Sequence, residues 1–315
     1  MTHQTAGIHH ITAFVDRVQE TVDYYASALG LRLVKQTINF DAPEVYHLYF
    51  GNEWGSPGTI ITFFPSPGSQ KGTIGGGQVG YTTYVVPEGT LDWWEARLKK
   101  FNIPITRMER FGEQYLRFPD LSGLQLEIVA RAEGPASTWA FGGVPADKAI
   151  KGFGGAVLYS TDPVKTAMTL EQVLGLERVE MDGDYMRFKG AGDLGNLIDL
   201  DLTKHKWGQG GSGIVHHIAW RAKDDEDQLK YRELAATSGL QPTPVVDRQY
   251  FNAVYFREQG GILFEIATDP PGFAHDESVE TMGAKLMLPA WYEQYRDQII
   301  AGLEPFEVRV LEEDL

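Results

Sequence analysis

One unit recurs four times along the 315 residues, and this repetition constrains the fold more than any other feature of the sequence. Each copy opens with an apolar run typical of a strand, continues with an amphipathic helix that ends at Gly or Asn, and then has a strand that ends in Phe. A Gly-containing turn and one further apolar run complete the unit. At roughly 70 residues per copy, the repeat predicts one supersecondary structure built four times. The opening runs span 8–14, 79–86, 156–160 and 214–220.

The repeat also predicts how the chain is divided. Residues 1–135 hold the first two units and residues 151–270 hold the last two, and the stretch 136–150 is expected to link them. Residues 271–315 form a C-terminal extension that we expect to be partly helical. Strands and helices that recur in this order predict an α+β fold.

The composition disfavours several classes of function. The chain has 28 Lys and Arg against 43 Asp and Glu, a formal net charge of −15, which disfavours nucleic acid and anionic membrane surfaces as partners. It has no Cys, so any metal site must use nitrogen and oxygen ligands. No apolar stretch reaches the ~18 residues of a membrane span, and no signal peptide is visible. We expect a cytoplasmic protein without a membrane partner, and a homo-oligomer is compatible with the composition.

Two His-His pairs occupy the same place in the repeat, on the first strands of the first and fourth units. They are His9-His10 and His216-His217, each in an apolar run. Imidazole is a common metal ligand, and pairs at matching positions favour a metal over isolated structural histidines. Neighbouring strand residues point to opposite faces, so only one His of each pair can face a common ion. We choose His10 and His217, because the same register then places both inward.

A carboxylate completes the candidate metal set. Glu265 lies in the otherwise apolar last strand of the fourth unit, where a buried charge needs a metal, a salt bridge or hydrogen bonds. The second and third units have Glu127 and Asp199 in the corresponding strands but no histidine pair, so we expect no catalytic metal there. The first unit has Phe63 near this position.

Together, His10, His217 and Glu265 form a set of two histidines and one carboxylate. Such a set suits non-haem Fe(II) oxygen chemistry, because several coordination positions stay open. For these side chains to converge, the first and fourth units must lie together, which leaves the second and third units to pair without a metal. His47, on the second recurring strand of the first unit, is expected to be a core residue, with a position lining a cavity as the alternative.

The repeated and paired β-α-β-β-β unit resembles the vicinal oxygen chelate superfamily, which includes glyoxalase I and the extradiol dioxygenases. The resemblance covers residues 7–269. It implies that paired units curl their sheets into cupped, partly open barrels around a metal, with ligands on the first and last strands of a unit. For this chain it implies four βαβββ units in two such barrels, the first unit with the fourth and the second with the third.

Several stretches resemble a narrower family, the ring-cleaving dioxygenases that act on hydroquinones. The resemblance implies Fe(II), with Mn(II) as the alternative, held by His10, His217 and Glu265. It also implies O2 and a small aromatic substrate as partners. The stretches that carry it are 9–12, 46–50, 55–59, 260–265 and 272–277.

The same resemblance implies three catalytic residues near the metal. His9 would act as an acid or base, provided that an irregularity of its strand lets it reach the site. Tyr255 would hydrogen-bond a substrate oxygen, and Arg248 would hold the second hydroxylate or a developing anion. Without the resemblance, a surface ion pair for Arg248 and ordinary packing for Tyr255 are the alternatives.

The sequence therefore predicts an Fe(II)-dependent dioxygenase that uses O2 to open a hydroquinone-type ring next to a hydroxylated carbon. Two alternatives stay open. A glyoxalase-like isomerase or lyase would use a divalent metal without O2, although the fourth protein ligand usual in such enzymes is absent. A metal-free module would bind an aromatic compound or a drug, although the paired histidines argue against it.

Overall fold

The computed structural model describes residues 3–314, in which sixteen strands form two eight-stranded sheets. The first sheet takes its strands from the first and fourth units: β1 (Ile8–Val15), β2 (Arg32–Asn39), β3 (Ala42–Gly51), β4 (Ile60–Pro65), β13 (Ile214–Ala222), β14 (Val246–Asp247), β15 (Phe251–Arg257) and β16 (Leu263–Pro271). The second sheet takes its strands from the middle units: β5 (Gln78–Val86), β6 (Thr106–Arg110), β7 (Glu113–Pro119), β8 (Gln125–Ala130), β9 (Gly152–Tyr159), β10 (Glu177–Asp182), β11 (Tyr185–Lys189) and β12 (Leu197–Asp201).

The order of the strands shows how the units pair. The first sheet runs β14-β15-β16-β13-β1-β4-β3-β2, so that β1 lies antiparallel to β13. The second sheet runs β10-β11-β12-β9-β5-β8-β7-β6, with β5 antiparallel to β9. The prediction of an α+β fold with the first unit paired to the fourth, and the second to the third, is confirmed. Each sequence half, 1–135 and 151–270, thus gives one unit to each sheet.

Five α-helices accompany the sheets in the described part of the chain. Asp162 caps the third helix by accepting a hydrogen bond from the Lys165 N–H, as the Asp-Pro sequence predicts. The first four helices are followed, as predicted, by left-handed backbone at Gly30, Asn102, Gly175 and Gly239. The helices are α1 (Val18–Val22, continued by a π-helical segment Asp23–Ala28), α2 (Leu91–Lys100), α3 (Pro163–Gln172), α4 (Asp225–Thr237) and α5 (Arg296–Gly302).

The two faces of β1 have different surroundings, which is what creates a site. Ile11 and Ala13 are fully buried in the apolar core to which α1, α2, α3 and α4 also contribute. His10 and Phe14 instead line a cavity. Alternation along the strand therefore separates the core from the cavity, because successive side chains point to opposite faces of a sheet.

Two segments lie outside the repeated units. Residues 131–151 connect β8 to β9 and contain an isolated bridge between Phe141 and Val144. The C-terminal residues return to the first sheet, where the buried Lys35 Nζ lies 2.6 Å from Asp276 Oδ1 and 2.5 Å from Glu277 Oε2. This extension contains α5 and short 3₁₀ turns.

None of the described helices is both long enough and apolar enough to cross a membrane.

Candidate metal centre

Three side chains that lie far apart in the sequence meet on the inner face of the first sheet. His10 comes from β1, His217 from the neighbouring β13, and Glu265 from β16, which pairs with β13. The two Nε2 atoms are 3.2 Å apart, and Glu265 Oε2 lies 3.5 Å from that of His10 and 2.9 Å from that of His217. All three side chains are buried. The structure thus brings together the three ligands that the sequence predicts.

The surroundings of Glu265 test whether a metal fits these residues. Its side chain is fully buried, and among the described residues neither carboxylate oxygen has a partner with hydrogen-bond geometry, although His217 Nε2 is close. A buried carboxylate without such a partner is costly unless a cation compensates it. Nitrogen and oxygen ligands bind divalent metals at about 2.0–2.2 Å, so atoms that share one ion lie within about 3–4 Å of each other. The three ligand atoms here are 2.9–3.5 Å apart. The cluster fits a divalent metal.

Charge within the cluster favours the ligand form of the carboxylate. Burial alone would raise the pKa of Glu265, but the two imidazoles outweigh burial and hold that pKa well below its usual value. Burial lowers the pKa of His217, which leaves its imidazole neutral at neutral pH. An ionised carboxylate beside a neutral imidazole is the protonation state that metal ligation requires.

The first histidine of each pair contacts the second. The Nδ1 atoms of His9 and His10 are 2.9 Å apart, and those of His216 and His217 are 2.7 Å apart. A register shift between Ile8 and His10 accompanies the first contact, the strand irregularity that a site role for His9 requires. Such contacts to the far nitrogen fix the orientation of a ligand imidazole.

His9 and His216 nevertheless differ in their access to the cavity. His9 is 2% exposed and lies against Phe251, outside the residues that line the cavity. His216, which the sequence argument did not select, lines the cavity. Burial, followed by the neighbouring His217, lowers the pKa of His216 to about 3. The signal for His216 was present in the sequence, because it is the repeat counterpart of His9.

His10, His217 and Glu265 line a cavity of about 260 Å³. This volume is just below the range of about 300–1,000 Å³ that drug-sized ligands occupy, so the cavity suits a smaller molecule. Its lining combines aromatic rings, which offer faces for stacking, with polar groups. The aromatic residues are Phe14, Phe40, Phe64 and Phe251, and the polar residues beyond the cluster are Asn39, Asp41, His47, Tyr49, His216, Arg248 and Tyr255.

Arg248 and Tyr255 contact each other beside the cluster. Tyr255 pairs with Glu265 across β15 and β16, and its hydroxyl accepts a hydrogen bond from Arg248 Nε at 3.1 Å. Arg248 also forms an ion pair with Asp41, with 2.9 Å between Nη2 and Oδ2. Burial, then Glu265, raises the pKa of Tyr255, so its hydroxyl keeps its proton. The surface ion pair considered as an alternative for Arg248 therefore exists together with its place in the cavity.

A polar chain on the cavity wall contains His47, for which the sequence favours the core over the alternative of a cavity-lining position. His47 instead lines the cavity, with Nδ1 2.7 Å from the Tyr49 hydroxyl and Nε2 2.8 Å from Thr62 Oγ1. Thr62 Oγ1 lies 2.8 Å from Thr12 Oγ1. The pairing of Tyr49 with Thr62 corresponds to that of Tyr255 with Glu265, so Thr62, and not Phe63, occupies the carboxylate position of the first unit.

The carboxylates of the middle units bind arginine. Arg110 Nη2 lies 2.9 Å from Glu127, and Arg110 Nε lies 2.7 Å from Asp199. Arg117 contacts Glu127 at 2.7 Å, and Arg187 contacts Asp199 at 2.7 Å. Within residues 3–314, the cluster of His10, His217 and Glu265 is the one group of three metal-ligating side chains close enough to hold an ion.

Comparison with known proteins agrees with this architecture. The model of the Glyoxalase/Bleomycin resistance protein/Dioxygenase superfamily matches residues 7–128 and 152–266. A crystal structure of a Bacillus subtilis protein described as a dioxygenase superposes with a TM-score of 0.97 at 64% identity, covering 98% of this chain and 100% of that one.

Two relatives carry informative names. MhqO of Bacillus subtilis, named as a ring-cleaving dioxygenase, is 64% identical over 312 residues, which are 99% of this chain and 100% of the relative. Chlorohydroquinone/hydroquinone 1,2-dioxygenase of Sphingobium indicum is 35% identical over 318 residues, covering 95% of this chain and 96% of the relative.

Proposed function

The chain belongs to the Glyoxalase/Bleomycin resistance protein/Dioxygenase superfamily, and we propose that it is a metal-dependent dioxygenase that opens hydroquinone-type rings. One observation carries this proposal. Glu265 is buried without a hydrogen-bond partner of good geometry, beside two imidazole nitrogens, in a small cavity lined by aromatic rings. The buried carboxylate calls for a cation, and the rings around it suit an aromatic substrate.

The proposed metal is Fe(II), with Mn(II) as the alternative, held by His10, His217 and Glu265. Two imidazoles and one carboxylate leave positions open, and the absence of Cys excludes the thiolate ligands that favour other metals. A metal of this kind, when bound, would supply open positions for a phenolic oxygen and O2 and a route for electrons between them. His9 and His216 hold the two ligand imidazoles through their Nδ1 contacts.

The surrounding side chains bind and orient the ring. Tyr255 keeps its proton and hydrogen-bonds a substrate oxygen, while Arg248 stabilises negative charge that develops on the ring. The rings of Phe14, Phe64 and Phe251 enclose the aromatic body of the substrate and exclude water. His216 has a ring nitrogen that His217 does not occupy, and this nitrogen is available for a hydrogen bond to the substrate.

The hydroquinone assignment rests on the named relative that covers almost the whole chain. A hydroquinone offers one oxygen to a metal and a second oxygen at the far end of the ring. The far oxygen then needs a protein partner, for which the guanidinium of Arg248 and the hydroxyl of Tyr255 are placed on the cavity wall. Cleavage next to a hydroxylated carbon gives an unsaturated ring-opened acid or semialdehyde.

The deciding experiment is anaerobic reconstitution with Fe(II) or Mn(II), followed by metal analysis and by oxygen uptake with hydroquinones and catechols. We expect one metal per chain and O2-dependent formation of a ring-opened product, faster with hydroquinones. Faster turnover of catechol than of every hydroquinone would overturn the substrate assignment. Turnover of a hemithioacetal without O2 would instead favour a glyoxalase-like enzyme, and tight aromatic binding without any metal would favour a binding module.

Arg248→Met tests the role of the cavity wall. We expect unchanged metal content and a kcat/KM for hydroquinones that is lower by about tenfold to a hundredfold, the loss typical of a charged substrate contact. Arg178→Met is the control, since Arg178 is exposed on β10 and pairs with Glu171 at 3.0 Å. Equal activity of the two variants would contradict a substrate contact through Arg248.

A further inference from the structure

The mouth of the cavity carries an ion pair that joins the first and fourth units. Arg248, between β14 and β15, meets Asp41, in the turn between β2 and β3, with 2.9 Å between Nη2 and Oδ2. Both residues line the cavity, but the Arg248 side chain is only 20% exposed whereas that of Asp41 is 71% exposed. The Arg248 guanidinium that lines the cavity is therefore already paired with the carboxylate of Asp41.

Asp41 is held in this position by its surroundings. Its backbone N–H donates a hydrogen bond to Asn39 Oδ1 at 3.0 Å, which closes the turn. The neighbouring Phe40 carbonyl accepts a hydrogen bond from the Tyr292 hydroxyl at 3.0 Å, and the Phe40 ring meets Trp291 edge-on. The turn is thus fixed from both sides, so the Asp41 carboxylate is presented to Arg248 by the fold.

The net charge of the side chains around the cavity limits which substrates can neutralise it. Among the acidic and basic side chains, Glu265, Asp41 and Arg248 are the ones that line the cavity. With a divalent metal these three leave one positive charge, which one phenolate oxygen neutralises. A ring that also carries a carboxylate brings a second negative charge close to Asp41, and like charges at short distance repel.

We propose that Asp41 is a specificity-determining residue: by occupying Arg248 it selects hydroquinones with uncharged substituents and rejects rings that carry a carboxylate. The inference rests on the proposed function, because it concerns the same cavity and the same ring. Rejection through a fixed like charge is a general device for specificity, since it lowers affinity for the wrong ligand without new contacts to the right one. Alkyl- and halogen-substituted hydroquinones are the class that this arrangement admits.

The test compares two probes of similar size, methylhydroquinone and carboxyhydroquinone, with Asp41→Asn protein. Binding to the metal-loaded protein without O2 is measured by calorimetry. We expect Asp41→Asn to raise the affinity for carboxyhydroquinone by about tenfold and to change the affinity for methylhydroquinone by less than about twofold. Glu44→Gln is the matched control, an exposed acid on the same hairpin outside the cavity lining, and should change neither affinity.

A second variant shows whether Asp41 acts through Arg248. Adding Arg248→Met to Asp41→Asn should abolish the tighter binding of carboxyhydroquinone, because the unpaired Arg248 guanidinium is the group that binds the carboxylate. Equal changes for both probes, or no change in Asp41→Asn, would overturn the proposal. Failure of the dioxygenase proposal is a different result: no oxygen uptake with any ring, while the binding comparison still decides the role of Asp41.

Discussion

The two barrels place acidic residues at corresponding positions and neutralise them in different ways. In the first barrel Glu265 pairs across the strands with Tyr255, and in the second Glu127 pairs with Arg117. The third unit repeats the second arrangement, with Asp199 opposite Arg187. An acidic residue therefore occupies this position in three of the four units, whereas the first unit has Thr62. It is a candidate metal ligand only in the fourth unit, where no arginine pairs with the carboxylate among the described residues.

The positions of the histidines complete the contrast. In the parallel pairing Glu265 lies beside Ala219, two residues after His217, and Glu127 lies beside Thr83, two residues after Tyr81. The second barrel thus has a tyrosine where the first has a ligand. In the second barrel arginine side chains neutralise the carboxylates. In the first barrel the proposed metal ion would supply the positive charge. Under the proposed function, the partners of the carboxylate, and not the carboxylate itself, determine which barrel binds metal.

The largest expected effect comes from removing the carboxylate that has no fixed cation. Glu265→Gln should weaken metal binding by more than about a hundredfold and abolish turnover, because a neutral amide is a poorer ligand than a carboxylate. His10→Ala and His217→Ala should also lose metal, measured by elemental analysis after reconstitution. Wild-type metal content and activity in any of these variants would refute the ligand assignment.

The same substitution in the second barrel should affect stability and not metal. Glu127→Gln leaves the buried Arg110 without one of its carboxylate partners, and breaking a buried pair costs about 3–5 kcal/mol. Denaturant unfolding should show this loss, while metal content and turnover stay close to wild type under conditions where the protein is folded. A fall in bound metal with an intact fold would place a site in the second barrel.

In the metal-free protein, we expect the two barrels to lose stability at different pH values as the solution is acidified. Burial lowers the pKa of His47 well below 6.5, so the unfolded chain alone binds this proton and stability falls as pH drops below 6.5. Burial would raise the pKa of Glu113, but Arg131 and Arg187 lower it from 4.5 to about 2. The contribution of the ionised Glu113 to folding stability is therefore complete above pH 4.5 and is lost only as pH falls toward 2.

Hydrogen exchange measures the acid response strand by strand. Amides of β1 and β13 should lose protection at a higher pH than those of β7 and β12, because the histidine-containing barrel begins to weaken first. If the amides of both barrels lost protection at the same pH, the barrels would respond to acid as one unit. That result would contradict the difference expected from their charged groups.

The smallest expected effect tests the polar chain opposite the metal. Thr62→Val removes the hydrogen-bond partner of His47 Nε2 and should lower kcat/KM by about threefold to tenfold, the effect of one lost hydrogen bond, with metal content unchanged. Thr37→Val is the control, since the buried Thr37 hydroxyl has no hydrogen-bond partner among the described residues. Equal kinetics of the two variants would show that the chain does not orient substrate.

The sequence predicts the fold well because the information is repeated. Apolar periodicity and the Gly or Asn at the helix ends mark the four units, and the placement of His10, His217 and Glu265 predicts which units pair. Each signal is local or appears in more than one copy. Errors in a single unit therefore have little influence on the predicted architecture.

The parts that could not be predicted depend on register and on turns. One residue of shift decides whether Thr62 or Phe63 faces the cavity, and alternation alone does not show which face His47 takes. Asp41 reaches Arg248 through a turn between strands of a unit far away in sequence. Contacts of this kind depend on the paired sheets, and no local pattern records them.

The pairing of β1 with β13 also sets the order in which the molecule is completed during synthesis. Strands of the second barrel lie between residues 78 and 201, so all of them are synthesised before β13 begins at Ile214. Domains that are complete can fold while the rest of a chain is still being made. During that interval β1 has no antiparallel partner and His10 has neither His217 nor Glu265 beside it. If His10, His217 and Glu265 hold the metal as proposed, a chain that stops before Glu265 lacks one ligand however well its middle half has folded.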